Sequence, residues 1–485
     1  MEGSWWNSSK TLMQILVLIF GAGAWIAVNG VWVELPAIVA LAPEQWQLPS
    51  YLTVISQIGN LGPLIVTLMQ AMCSKYFNQN AMIYSIVSIG TLSCLLLCFF
   101  WNHTAVIAGK EYSVALFALW YALAFVDCTS SVTFLPFMNR FQSVFLTTYF
   151  IGEGLSGFMP SIFALAQGIG NTRCLNVSSY NETTNTTTYH IQTHYESPRF
   201  SESVFFALLC IMMALCGIAF FLLNHTKVAT HFRTQEQTYK QGSIVDTSEY
   251  PTASQTINDT YDSLEMVDSD SSGRNKSEYQ QQTSFKKETN EQNFDASDAA
   301  LVAEEPPTLT KYDYVYFLVI IFIINSLSNG VLPSVSSYTS LPYGELAYHL
   351  AATLGNMANP VACLIAMFFP MTSPILLGIL ATCACGFGSY LMVLAKGSPC
   401  PILINEPSGA VLMVLSQILF VGLVSYIKVS IAQVFRLRGS RKSLVWYGAA
   451  IQAGSMTGAL LIFPFVNVPH LMSFVSGDPC LTVCA

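Results

Sequence analysis

The chain has 485 residues, of which 53% are hydrophobic and only 10% charged, with a formal net charge of -8. A soluble protein carries about 25% charged residues, so the polar surface needed to cover a water-soluble core of this size is missing. Composition excludes an ordinary soluble protein and points to a lipid bilayer as the solvent; no nucleic-acid partner is expected.

Apolar runs near the roughly 20 residues that cross the hydrocarbon core predict spans at 11–41, 50–73, 81–101, 113–137, 143–168 and 203–223. After a polar interval they resume at 313–335, 346–369, 373–395, 409–433 and 444–467. The opening resembles a secretory signal, with Lys10, an apolar run and Gly-Ala-Gly-Ala, but it stays apolar to Ala42, too long for a cleaved signal. The interval is rich in Ser, Thr, Gln, Asp and Asn and cannot offset its ordering entropy by burial. The expected organisation is a six-helix bundle at 1–223, a disordered cytoplasmic linker at 224–311 and a five-helix bundle at 312–485.

Most Lys and Arg residues fall on the cytoplasmic side when the N-terminus is placed inside, which puts the C-terminus outside. Glycosylation sequons at Asn102, Asn176, Asn181 and Asn185 then all fall in outside loops. Of 13 cysteines, most lie in spans and act as small apolar residues. Cys400 and Cys480 fall on the oxidising side, where a bridge between them would tie the last outside loop to the tail, with Cys484 as the competing partner.

The two halves echo each other. Asn29-Gly-Val-Trp-Val-Glu-Leu-Pro returns as Asn329-Gly-Val-Leu-Pro, and Gly59-Asn60-Leu-Gly-Pro63 as Gly355-Asn356-Met-Ala-Asn-Pro360. Asp127 precedes Glu153 by the same 26 residues that separate Lys428 from Gly454. The first and seventh spans run the same way, so the halves are parallel repeats, as in the major facilitator architecture. The expected fold is an all-α polytopic membrane protein of about eleven helices in pseudo-symmetric bundles, an arrangement that favours a transporter over a receptor.

Ionisable residues inside a span are costly and are functional candidates; here they are Glu34, Asp127, Glu153 and Lys428. Asp127 and Lys428 hold corresponding places in spans four and ten. Two readings stand for them: a salt bridge across the bundle, or two separate helix caps. The helix breakers Asn29-Gly30, Pro36, Asn329-Gly330 and Pro333 free backbone groups that are tolerated only against a cavity or neighbouring protein. No GxxxxGK[ST], HExxH, CxxC or GxSxG motif occurs, which disfavours ATP-driven transport and membrane-embedded hydrolysis. With a single intramembrane base, a neutral solute with aromatic surface and several hydrogen-bonding groups fits better than a phosphorylated one.

The strings WIAVNGVWVELP from Trp25, LPSYLTV from Leu48, DCTSSVTFLPF from Asp127, GEGLSG from Gly152, NGVLPSV from Asn329, YHLAAT from Tyr348 and SYIKV from Ser425 resemble solute carrier family 52, the animal riboflavin transporters. The resemblance implies a six-plus-five fold akin to equilibrative nucleoside transporters. It also implies sodium-independent uptake of riboflavin at the plasma membrane, on the apical face in epithelia, favoured by mildly acidic pH. Riboflavin would be the transported solute, with no cofactor. A flat isoalloxazine and a ribityl chain suit a pocket of apolar walls with a few placed polar groups, for which Trp25, Asn29, Trp32, Glu34, Asn60, Asn325, Asn329 and Tyr338 are the candidates. Glu153 or Asp127 would bind the proton. Competing readings are a carrier for another neutral aromatic solute, such as a nucleoside, or a cell-surface receptor. Viruses enter through members of this family, which makes a viral envelope protein an opportunistic ligand.

Overall fold

In hydrocarbon a backbone polar group must find its partner within its own segment or in adjoining protein, and the apolar runs accordingly fold as helices. The computed structural model describes residues 2–73, 77–168, 172–181, 186–195, 198–233, 309–438, 441–468, 471, 474–477 and 484. The first span is broken: α1 (Glu2–Ala22) and α2 (Ile26–Leu41) meet at a bend of 54°. The second is α3 (Leu48–Gly59) and α4 (Leu61–Met72), joined at Asn60. Next comes α5 (Gln79–Phe100), whose first N–H groups, on Asn80 and Ala81, donate to the Asn78 side chain at 3.1 and 3.2 Å. The first half ends with α6 (Val114–Met138), α7 (Ser143–Gln167), α8 (Glu202–His225) and α9 (Lys227–His231).

The second half opens with α10 (Lys311–Asn325), capped by Thr310, whose hydroxyl accepts from the Asp313 N–H at 3.1 Å. Its chain continues through a π-helical stretch, Ser326–Val331, into the single turns α11 (Leu332–Ser334) and α12 (Ser336–Ser340). Then follow α13 (Glu345–Phe368), α14 (Pro374–Lys396), α15 (Pro407–Arg438) and α16 (Arg441–Asn467). Among the described residues, nine helices are long and apolar enough to cross a membrane, or ten if the bent α1–α2 pair is one span. The helix α7, which occupies the remaining one of the eleven expected spans, is not in that count.

Two hairpins interrupt the all-helical expectation. Strands β1 (Ala105–Ile107) and β2 (Lys110–Tyr112) pair across Ala108 and Gly109, both at positive φ, as a two-residue turn between twisted strands requires. A longer antiparallel pair joins β3 (Thr172–Asn181) to β4 (Thr186–Tyr195). These strands are polar and Thr-rich, so no apolar alternation announces them. Asn102 is exposed just before β1; Asn176 and Asn181 stand on β3 with side chains outside the described residues, as is Asn185 altogether.

Two boundaries differ from expectation. Residues 224–233, assigned to the linker, belong to the helical body. Asn80 donates to the Asn224 side-chain oxygen at 3.2 Å, and the Arg233 guanidinium donates to the Leu223 and Asn224 carbonyls at 3.3 and 3.0 Å. The rest of the expected linker, 234–308, lies outside the described residues. The disulfide joins Cys400 to Cys484, not to Cys480, with Cα atoms 5.5 Å apart. A thiol forms one bridge, and spacing alone could not choose between tail cysteines four residues apart. The tail reaches Cys400 because the Ser398 hydroxyl donates to the Val475 carbonyl at 2.6 Å while Phe474 packs on Tyr338. Cys480 lies outside the described residues.

Buried apolar side chains form two clusters. One draws on residues from Met13 to Phe232 with Tyr348 as its sole later member; the other runs from Phe317 to Phe474. The centre of the first is Phe20, stacked on Phe134 at 4.3 Å and on Phe220 at 5.5 Å, which ties α1 to α6 and α8. The outward faces, such as Leu92, Leu95 and Phe99 on α5 and Ile211 and Ile218 on α8, are exposed and apolar, as a lipid-facing surface must be. Small residues let backbones approach in both halves. A Cβ on Gly152 would run into the Leu18 carbonyl where α7 crosses α1, and one on Gly458 into the Ser326 carbonyl where α16 crosses the end of α10.

Candidate functional site

The break in the first span frees backbone groups around Gly23–Trp25 and in the first turn of α2, and the neighbouring helix α6 supplies partners for two of them. Asp127 accepts the Val28 N–H at 2.9 Å, and the Ser130 hydroxyl donates to the Ala24 carbonyl at 3.0 Å. One turn into α2, the Asn29 amide donates to the Ser156 hydroxyl of α7 at 3.2 Å. In the second half the Asn329 amide, in the π-helical stretch, donates to the Ser455 hydroxyl of α16 at 3.1 Å and to Asn325 Oδ1 at 3.2 Å. The sequence separations, 127 and 126 residues, are nearly equal. The repeat read from the sequence thus reappears as a pair of matching hydrogen bonds.

The other candidates fall into two groups. Trp25, Trp32, Asn29, Asn60 and Asn329 are half-buried, with surface left to offer a solute. Trp32 stands edge-on to Trp120 with ring centroids 5.6 Å apart, which holds its indole at a fixed angle. Asn60 donates to Gln57 Oε1 at 3.3 Å, and the Gln57 amide donates to the Asn329 carbonyl of the other half at 3.3 Å. Glu34, Asn325 and Tyr338 are buried. Glu34 accepts from the Gln167 amide at 2.9 Å, and Gln167 also donates to the Phe200 carbonyl at 3.0 Å. Asn325 donates to the Ile321 carbonyl of its own helix at 2.7 Å. Tyr338 is wedged between Trp46 and Phe474, each with centroids at 5.6 Å. These three brace the walls in this conformation.

Asp127 and Lys428 do not pair. The Asp127 carboxyl is fully buried in its own half on the Val28 N–H, while Lys428 lies on α15 against α13, close to Cys363. Repeat symmetry explains the separation: a residue that turns into its own half has a counterpart that does likewise. Of the two readings, Asp127 follows the capping one. Glu153 lies half-buried on α7, close to Cys363 of α13, where the two helices meet. At that contact a Cβ on Gly154 would touch Pro360 at 3.2 Å, and the Asn356 amide donates to the Gly157 carbonyl at 3.3 Å.

Further bonds join the halves near the α2–α3 turn. The Asn467 amide donates to the Ser50 hydroxyl at 2.8 Å, the Ser337 hydroxyl to the Trp46 carbonyl, and the Gln47 amide to the Val466 carbonyl at 3.5 Å. Sequence reasoning missed Ser156, Ser455, Gln57 and Gln167 as site residues. For the two serines a signal existed: GEGLSG from Gly152 and GSMTG from Gly454 are Gly/Ser-rich stretches at corresponding places in the two halves.

Chemically, the half-buried set offers indole faces and amide edges, the means to stack a flat ring and hydrogen-bond its rim. The family model "Solute carrier family 52, riboflavin transporter" matches residues 9–474. The chain belongs to this family. Within solute carrier family 52 it is 42% identical over 472 residues to riboflavin transporter member 3-A of Danio rerio, covering 97% of this chain and 98% of that one. It is 39% identical over 504 residues to member 3 of Homo sapiens, covering 98% and 99%. The fold is of the major facilitator type, as in the nucleoside transporter NupG (TM-score 0.53, 10% identity, 95% of this chain and 93% of that one). A peptide transporter of the POT group is alike to the same degree (TM-score 0.53, 9% identity, 95% and 89%). Four of the seven strings that resemble solute carrier family 52 fall on the start of α2 from Trp25, on the α6 clamp from Asp127, and on the stretches at Gly152 and Asn329 that carry Ser156 and Asn329. Family and structural neighbours are transporters, not enzymes.

Proposed function

We propose that this chain carries riboflavin into cells across the plasma membrane by alternating access, without sodium and favoured by mildly acidic pH. The carrying observation is the matching pair of Asn–Ser hydrogen bonds on opposite halves of the molecule, Asn29 to Ser156 one turn after the break in the first span and Asn329 to Ser455 in the π-helical stretch of the seventh. Irregular backbone at membrane depth is a mark of solute sites in such carriers. Membership of a family named for riboflavin transport supplies the solute. Trp25 and Trp32 stack the isoalloxazine, while Asn29, Asn60 and Asn329 hydrogen-bond its imide edge and the ribityl hydroxyls. The N-terminus is cytoplasmic and the C-terminus, with the Cys400–Cys484 bridge, extracellular; Asn102 and the β3–β4 hairpin carry the glycans. Glu153, at the contact of α7 with α13, is the proton-binding carboxyl, Asp127 being committed to the Val28 N–H.

The deciding experiment is uptake of labelled riboflavin into cells or proteoliposomes bearing this chain, across pH and with sodium replaced. Competition by lumiflavin but not by uridine is expected. Uptake blocked by uridine and indifferent to lumiflavin would assign the carrier to nucleosides instead.

A further inference from the structure

The two halves meet the same problem at their irregular spans and solve it differently. In the first span the helix stops, and the Val28 N–H and Ala24 carbonyl need partners that lipid cannot give. Both partners come from α6, three residues apart and hence on one face: Asp127 accepts from Val28 and Ser130 donates to Ala24. Seven residues earlier on the same helix, Trp120 holds the Trp32 ring edge-on and donates to the Leu52 carbonyl at 2.8 Å. The seventh span satisfies itself: Asn325 donates to Ile321, and Ser334 donates to the Gly330 carbonyl at 2.8 Å. The place that corresponds to Asp127 is filled by Lys428, which has no acceptor to offer a backbone N–H, and there the helix runs on through π-helical turns instead of breaking.

We propose that Asp127 and Ser130 are positioning residues, which fix the angle of α2 against α6 and so place Asn29 and Trp32 for the solute. The proposal rests on the riboflavin-carrier reading above. Asp127 works as a hydrogen-bond acceptor there. Its second oxygen, Oδ1, is buried without a hydrogen-bond partner, so an amide in its place keeps the Val28 bond and loses nothing across the bundle.

The test uses the full-length protein, with uptake normalised to surface level. Asp127→Asn is expected to keep the wild-type KM within about twofold, whereas Asp127→Ala, which loses a buried acceptor, raises KM about tenfold or more. The pH profile of Asp127→Asn stays that of the wild type. If Asp127→Ala does not reach the surface, Ser130→Ala carries the same test, with KM raised about threefold. A second readout is independent of transport: thiol labelling of Trp32→Cys, corrected for the parent's cysteines, changes several-fold when combined with Asp127→Ala and not with Asp127→Asn. An unchanged KM and unchanged labelling in Asp127→Ala would overturn the proposal. So would Asp127→Asn as impaired as Asp127→Ala, or a pH profile flattened by Asp127→Asn, which would assign the proton to Asp127. If the wild type carries no riboflavin at all, the carrier reading falls, and the labelling comparison still decides the clamp.

Discussion

The Asn29 amide donates to the Ser156 hydroxyl at 3.2 Å, and Asn329 repeats the bond to Ser455 at 3.1 Å on the other half. Each bond links a site-bearing span to the helix that crosses it most closely in its own half. Under the proposed function, moving one partner moves the wall that riboflavin would meet.

Breaking these bonds should weaken transport in a coupled way. Asn29→Ala or Ser156→Ala alone should lower riboflavin uptake efficiency about 2- to 10-fold, the range set by one lost hydrogen bond. The double variant should be little worse than the poorer single one, since contacting residues do not add. Initial rates in the four corners of the cycle settle the matter; simple additivity would mean that the bond has no part in transport. The Asn329–Ser455 cycle should behave alike.

Reversing both charges of Asp127 and Lys428 should rescue nothing. The two are not within ion-pair distance in the structure, and a lysine at 127 would set an ammonium against the Val28 N–H. Surface-normalised uptake of Asp127→Lys with Lys428→Asp is expected at or below the level of either single variant. Recovery in the double variant would restore the ion-pair reading.

Glu153→Gln should remove the advantage of acidic pH. The amide stands in for the protonated carboxyl, so the variant at neutral pH should transport like the wild type at acidic pH, and its profile should be flat. A profile that keeps its full slope would clear Glu153 of the role.

The tail cysteines offer a covalent test. Cys400→Ser and Cys484→Ser should lower the thermal midpoint by similar amounts, because each opens the same bridge. Peptide mapping under non-reducing conditions should recover Cys400 linked to Cys484.

Glycines separate crossings from surfaces. Gly152→Val and Gly458→Val drive a side chain into backbone carbonyls and should abolish surface expression. Gly422→Ala and Gly448→Ala meet nothing within 4 Å, so expression should be unchanged or improved by about 0.5–1 kcal/mol of helix propensity. Fluorescence-detected size exclusion with heating reads both.

Much of the fold was legible because hydrocarbon enforces long apolar helices, and the irregular stretch of the seventh span falls on Asn329-Gly330 as expected. The first span breaks between Ala22 and Ile26 instead, and the expected breakers Asn29-Gly30 and Pro36 lie inside α2. Legibility failed where the signal was not apolar length. The strands β3 and β4 are built largely of polar residues, and Asn224 and Arg233 look like linker until Asn80 and the Leu223 carbonyl are found beside them. At the site, chain-wide spacing matched Asp127 to Lys428 but could not say which way either side chain turns. Direction is a property of packing: Asp127 was claimed by the Val28 N–H, a group that exists only because the helix stops there. The same limit hid Gln167, whose partner Glu34 is 133 residues away.

The seam between the halves is stitched by Gln47, Gln57, Ser337, Asn356 and Asn467 through hydrogen bonds between uncharged groups. Neutral stitches of this kind cost little to exchange for water, and salt does not screen them. Parting this seam would leave no charge without its partner, so the strength of the stitches is indifferent to ionic strength.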